Sequence, residues 1–447
     1  MTTQPHRTDW WRTSQAAVDH SPRGSASATR PSTPASSVPF WALMVFILIM
    51  FLAPQSFVPA LASVRIALIA AILAIATHLL DRLTRGQPFT ILPRELRIAL
   101  GLAAWALLLI PMSLWPGGSV YFLLSIYLKI LAVFWLLINV IATPARIVRV
   151  AWMLTLIAYP LALTAVQHFV TGDFIQADIE VERIVGYDGP FVKNPNDLAL
   201  VLNLILPVTV ALLLAERRVL ARAVLTASVI LAVLGVVVTF SRSGFLTLAT
   251  IFVAYLLKLR HRRERWLVGL ALVLVLLAAP FLPTRYLGRV DTITSIDSDS
   301  TGSAQARWRD MVAAATYILW HPFVGAGAGM DILALNEVRG EKWLAVHNIY
   351  LEYAVDLGIP GLAMFLLLLV GSLKCAGFVQ RRTASVPAFR QLFYLGEGLQ
   401  ISLVAFAVAA NFSPGGYNLP FYLFAGLAIA LKNLYADEAS RARVHTA

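Results

Sequence analysis

The sequence predicts an all-α polytopic membrane protein, and three observations carry that prediction. Of its 447 residues, 59% are hydrophobic and only 13% charged, whereas a soluble domain is about half apolar and a quarter charged. Its mean hydropathy is +0.74. A hydrocarbon core takes about 20 apolar residues per helix, and the chain offers roughly a dozen such runs. Finally, Lys and Arg gather in alternate connections between those runs, as the positive-inside bias requires.

The expected spans are 39–58, 60–80, 98–115, 119–142, 147–170, 196–215, 220–240, 243–258, 265–282, 353–374, 393–411 and 418–436. Charge sets their direction. One inner connection carries Arg82, Arg85, Arg94 and Arg97, the next Arg146 and Arg149, and later ones Arg217, Arg218 and Arg222, then Lys258, Arg260, Arg262 and Arg263, then Arg381, Arg382 and Arg390. The short outer connections PQSFVPALAS, WPGGS and NFSPGGYN carry neither Lys nor Arg. This alternation predicts an even number of spans with both termini cytoplasmic. The net charge of +12 therefore belongs to membrane loops, and no nucleic-acid partner is expected.

Residues 1–38 are rich in Ser, Thr, Pro and Arg with no apolar stretch, the composition of a disordered tail. No signal peptide precedes the first run, which is expected to act as an anchor. The chain then divides into spans one to nine (39–282), a long outer loop (283–352), spans ten to twelve (353–436) and a cytoplasmic tail (437–447). Cys375 is the single cysteine, so neither an intrachain disulfide nor a cysteine-based metal site can form. The histidines are scattered without ligand spacing, and no metal or other cofactor is expected. There is no internal repeat, which weighs against a carrier built from paired halves.

The loop 283–352 is too long for a bare connection. Within it, Ser303 offers an N-cap, and Trp308, Met311, Val312, Ala315 and Leu319 recur at helical spacing over 304–320, predicting an amphipathic helix on the membrane surface or the bundle. That helix should stop at His321-Pro322.

Several residues could carry chemistry. Arg242, in a tight outer turn Thr-Phe-Ser-Arg-Ser-Gly, runs against the charge bias. It reads either as an arginine snorkelling to headgroups or as a bidentate phosphate ligand. Arg307 can pair with Asp310 at i,i+3 or reach a phosphate, while Arg309 points to another side of the helix. His347, where the loop re-enters the membrane, is either a structural hydrogen-bonder or a base near neutral pH. The run Gly325-Ala-Gly327-Ala-Gly329 reads as a close-packing turn or, more loosely, a phosphate cradle. Arg65, Lys129, Asp356 and Glu397 are charged residues within spans, with Arg65 and Asp356 expected to border one outer cavity.

The ordered set Gly-Pro-Phe-Val-Lys193-Asn-Pro-Asn196-Asp-Leu-Ala, Thr-Phe-Ser-Arg242-Ser-Gly, Arg307, His321-Pro-Phe-Val-Gly-Ala-Gly327, His347-Asn-x-Tyr350-Leu and Leu357-Gly-Ile-Pro-Gly-Leu362 resembles the O-antigen ligase and polymerase superfamily of bacterial membrane glycosyltransferases. The resemblance implies a GT-C-like fold of about 12 transmembrane helices, a large periplasmic loop with short helices and a metal-independent active site facing the periplasm of the inner membrane. The implied donor is an undecaprenyl-diphosphate-linked glycan, and the acceptor is lipid A core, a growing glycan or a protein side chain. Arg242 and Arg307 match the family's essential arginines and His347 its proposed base. Arg309, Lys193, Asn196, Arg65 and Tyr350 are the accompanying substrate-binding candidates. The family's Trp four residues after the loop Arg is Met311 here, so both Arg307 and Arg309 stand as candidates for that Arg.

Overall fold

The computed structural model describes residues 36–444 except 59, 173–174, 179–180, 185–186, 188, 190, 192–193, 261, 263, 265–302 and 341–342. In chain order its helices are α1 (Val38–Leu52), α2 (Ala60–Val64), α3 (Ile66–Thr84), α4 (Arg94–Leu108), α5 (Pro116–Phe122), α6 (Leu128–Val140), α7 (Pro144–Thr171), α8 (Pro195–Ala215), α9 (Val219–Val238) and α10 (Arg242–Leu259). Then follow α11 (Ser303–Trp320), α12 (Asp331–Arg339), α13 (Ile349–Thr383), α14 (Arg390–Ala409) and α15 (Leu419–Val444). A short antiparallel hairpin, β1 (Ile175–Asp178) with β2 (Val181–Arg183), lies between α7 and α8.

Among the described residues nine helical segments are long and apolar enough to cross a membrane: α3, α5 continuing into α6, α7, α8, α9, α10, α13, α14 and α15. Twelve were expected. Two of the missing spans are present as shorter helices, since α1 and α4 have 15 residues each and rise only about 22 Å against a core of roughly 30 Å. The third, 265–282, lies outside the described residues, as does the tail 1–35. The expected span 60–80 begins as α2, turns at Arg65 in a left-handed conformation (φ 50°) and continues as α3.

The core forms where α8 packs against α7, α9, α10 and α14, and α13 against α4, α14 and α15. Polar side chains inside it bond across helices. The Asn203 amide donates to the Gly244 carbonyl (2.9 Å) and the Tyr255 hydroxyl to the Pro207 carbonyl (2.9 Å). The Thr155 and Thr209 hydroxyls lie 3.0 Å apart. An unpaired polar group in an apolar interior costs several kcal/mol, so these pairs fix helix register as well as contact.

The two ends of the bundle differ in character. At one, which carries the basic connections, Lys258 donates to Gln380 and Gln400 (2.9 Å each), Arg262 pairs with buried Glu397 (2.8 Å), and Arg390 donates to the Leu214 carbonyl (2.8 Å). At the other, α8, α10, α13 and α15 start and α9 and α14 finish. There α11 and α12 pack onto α13.

Candidate functional site at the loop end

Each piece of this end is held by a local rule. Asn194 caps α8 by accepting from the Asn196 amide (2.9 Å), and Ser241 caps α10 by accepting from the Gly244 amide (3.1 Å). The Ser241 hydroxyl also donates to Asn196 Oδ1 (2.7 Å), tying the two helix starts together. Arg242, half-buried, is therefore the first residue of α10 and directly follows Ser241, the partner of Asn196. Gly244 permits the approach, because a Cβ there would lie 2.6 Å from that of Ala199.

In α11 the expected helix is present, yet its expected apolar stripe faces outward: Trp308, Val312 and Leu319 are 59%, 49% and 79% exposed. The face turned to the bundle is Asp310, Ala313, Ala314 and Tyr317, because small side chains let α11 lie close to α13. Arg307 belongs on this inner side and is half-buried, whereas Arg309 is exposed on the other. Asp310, one of the two partners considered for Arg307, is bound by Arg339 of α12. As expected, the helix stops at His321, whose exposed ring stacks on Tyr317 at 4.5 Å.

The segment leading to α13 is equally determined. Asp331 Oδ2 accepts from the Val346 amide (3.0 Å), Asn348 caps α13 by accepting from the Tyr350 and Leu351 amides (3.0 and 3.1 Å), and the Ile349 amide donates to the Ala410 carbonyl (2.8 Å). His347 is clamped between these ties, with Nδ1 buried and without a hydrogen-bond partner among the described residues. Burial first, then the Arg307 charge, lower its pKa below the usual histidine value; Asp310 and the Ala345 carbonyl pull the other way. The outcome favours a neutral imidazole at neutral pH, the state in which histidine accepts a proton. Burial likewise raises the Asp331 pKa, opposed by the Val346 amide.

The glycine run is a packing turn. Helix α13 breaks at Gly358 (φ 69°), freeing the Val355 and Asp356 carbonyls, which accept from the Ala326 and Gly327 amides (2.7 and 2.8 Å). In return the Ile359 amide donates to the Pro322 carbonyl (2.7 Å). Asp356 itself accepts from the Gly329 and Met330 amides (2.7 and 3.1 Å). With these amides engaged, the turn offers them to no phosphate. At Gly327 (φ 99°) a Cβ would come within 2.1 Å of the Ser113 hydroxyl, so the position needs glycine for both space and backbone angle.

Asp356 is fully buried beneath this turn, while Arg65 is exposed at the α2–α3 joint. The Asp356 carboxylate is held by the Gly329 and Met330 main-chain amides. Lys129 is exposed on α6, and Glu397 is paired at the basic end. The Tyr350 hydroxyl donates to the Ala407 carbonyl (2.7 Å), and Lys193 lies outside the described residues.

A small cavity of about 40 Å³ joins the helix starts, with Asp197, Phe191, Ile349, Phe406, Gly415 and Asn418 in its wall. Asp197 follows Asn196, the partner of Ser241, and Ile349 comes two residues after His347. The cavity wall thus holds sequence neighbours of the Ser241–Asn196 tie and of His347, and the Arg307 charge acts on the His347 imidazole. Sequence reasoning missed the supports: Asp331, Asp310 with Arg339, and Glu352, which accepts from the Gly415 and Gly416 amides (2.7 and 3.0 Å). Only Asn348, directly before the re-entering helix, carried a local capping signal.

Membrane-length apolar helices with a polar, glycine-clamped cap at one end define a polytopic all-α membrane protein. Residues 227–366 match the family model described as O-antigen ligase, a match that supports the resemblance of this segment to the O-antigen ligase and polymerase superfamily. The matched stretch runs from α9 into α13 and contains Arg242, Arg307, the glycine turn, His347 and the break at Gly358. It supports a ligase- or polymerase-type role in surface glycan assembly. No curated protein matches the chain.

Proposed function

We propose that the protein is a membrane glycosyltransferase that moves a glycan from undecaprenyl diphosphate to an acceptor hydroxyl. The observation that supports this reading most is the electrostatic coupling of Arg307 to a half-buried, neutral-leaning His347, both within the segment matching O-antigen ligases. Arg242 and Arg307 hold the diphosphate and meet the charge that grows on it as the glycosidic C–O bond breaks. His347 takes the acceptor hydroxyl proton, and the acceptor oxygen bonds to the anomeric carbon from the face opposite the leaving diphosphate. The configuration therefore inverts. By the family resemblance the reaction needs no metal, the fold is GT-C-like with about twelve spans, and the loop end faces the periplasm from the inner membrane with both termini cytoplasmic.

The test supplies purified full-length protein with undecaprenyl-diphosphate glycan and, in turn, lipid A core, a second lipid-linked glycan and an acceptor protein. One acceptor is expected to gain the glycan with an inverted linkage. Transbilayer movement of the donor in vesicles, with no product from any acceptor, would replace the transferase by a carrier.

A further inference from the structure

A groove of about 400 Å³ runs between α1 and α7, on the outside of the bundle. Its walls are Trp41, Met44, Leu48 and Leu52 from α1 with Met153 and Leu156 from α7, and its one charged lining residue is Arg149. Trp41, Leu48 and Leu156 remain 51%, 39% and 53% exposed, so the groove stands open along the described surface.

Two cations lie near its basic end, and they differ. Arg146 is buried: it donates to the Val140 and Ser36 carbonyls (2.9 and 2.7 Å) and covers the Phe40 ring. Arg149 is exposed, lies over the Trp41 ring at 5.9 Å, and among the described residues finds no carboxylate or carbonyl acceptor. A guanidinium beside an indole at the mouth of an apolar groove is the pattern of a headgroup-level anchor. From Trp41 to Leu52 the α1 wall rises about 16 Å, close to the roughly 15 Å thickness of one hydrocarbon leaflet. An acyl chain whose headgroup sits at Arg149 would therefore lie along the groove within its own leaflet. Water in such a groove would have no polar partner beyond its mouth.

We propose that this groove binds one anionic phospholipid of the leaflet at the basic end, with its phosphate on Arg149 and an acyl chain against Leu48, Leu52 and Leu156. The charge at the mouth selects a phosphate headgroup, and the apolar wall selects a chain. The site is separate from the loop-end cavity, yet α1 links them: at its far end the Phe51 carbonyl accepts from the Tyr187 hydroxyl (2.9 Å), and the Phe51 ring meets Phe191 of that cavity at 5.6 Å.

The test is native mass spectrometry of the full-length protein, washed in detergent and titrated with phosphatidylglycerol, diacylglycerol or inorganic phosphate. Wild type is expected to retain one phosphatidylglycerol through the wash and to bind diacylglycerol more weakly. Inorganic phosphate alone should not compete. Arg149→Gln should weaken the retained lipid about five- to tenfold, one exposed arginine being worth about 1 kcal/mol at an anionic surface. Leu156→Trp, which fills the groove, should displace the lipid, and Arg149→Lys should keep most of the binding. Equal lipid retention by wild type, Arg149→Gln and Leu156→Trp would overturn the proposal, as would a wild-type groove that takes no lipid because another segment of the chain fills it. Should Leu156→Trp fail to elute as a monodisperse species, the Arg149→Gln and Arg149→Lys pair decides alone.

Discussion

The two ends of the helix bundle bury carboxylates in different ways. At the basic end Glu397 is bound by the Arg262 guanidinium and the Gln380 amide, side chains from separate elements, so the interaction locks helices together. At the loop end Asp356, Glu352 and Asp331 accept from main-chain amides of Gly329 and Met330, Gly415 and Gly416, and Val346. There the carboxylates shape backbone, holding the glycine turn, the 415–416 turn and the segment that carries His347. Asp310 with Arg339 is the exception at that end, an ion pair that fastens α11 to α12. The difference teaches that buried negative charge marks a helix lock at one end and a mould for loop backbone at the other.

Substitution at the site itself should have the largest effect. His347→Ala is expected to lower glycan transfer about 10²- to 10⁴-fold, the usual contribution of a general base, with the protein still eluting as wild type. Near-normal turnover of labelled donor by this variant and by Arg242→Ala would remove both from the chemistry.

Next comes the mould. Asp356→Ala leaves two amides buried without acceptors and should cost about 3 kcal/mol, read as a lowered midpoint of thermal unfolding in detergent, together with loss of transfer. Asp356→Asn keeps an acceptor and should recover part of both. Glu397→Gln at the basic end should lower the midpoint less, by about 1–2 kcal/mol, since the Arg262 side chain is 20% exposed and Gln380 keeps a partner. Its transfer rate should stay within about twofold of wild type, as expected for a distant, independent position. If Glu397→Gln abolished transfer as Asp356→Ala does, the division between the ends would fail.

Much of this was legible in the chain because hydrophobic runs and charge alternation are local signals. They gave the membrane class, most span positions, the α11 helix and its stop at His321. Among the described residues fewer helices than expected reach membrane length, because composition does not fix where a helix ends: α1 ends at Ala53, in a left-handed conformation (φ 43°) before Pro54. The stripe through Trp308 left two environments open, the membrane surface and the bundle, since periodicity cannot tell a lipid-facing side from a packed one. The glycine run and the Leu-Gly-Ile-Pro-Gly motif were both visible, but not that each supplies the other's missing hydrogen bonds. Such pairing, like the Trp105 indole donating to the Leu357 carbonyl (2.9 Å) from 252 positions away, leaves no periodic trace.

The smallest predicted effect is the most specific to the site. A base at His347 must be neutral, so transfer should fall as pH drops through its folded-state pKa, which lies below the free histidine value because of burial and the Arg307 charge. Arg307→Gln removes one of those two influences. Whatever it does to the maximum rate, the acid limb of the residual pH–rate profile should move to higher pH, by about one unit or less. Asp310→Asn should move it the other way, since the Asp310 carboxylate raises the pKa, although that variant also loosens Arg339. A stopped assay of labelled glycan transfer between pH 5 and 8 reads both shifts. An acid limb that stays fixed in Arg307→Gln, or moves down, would mean that the proton titrating there is not on His347, and the loop end would keep its arginines but lose its base.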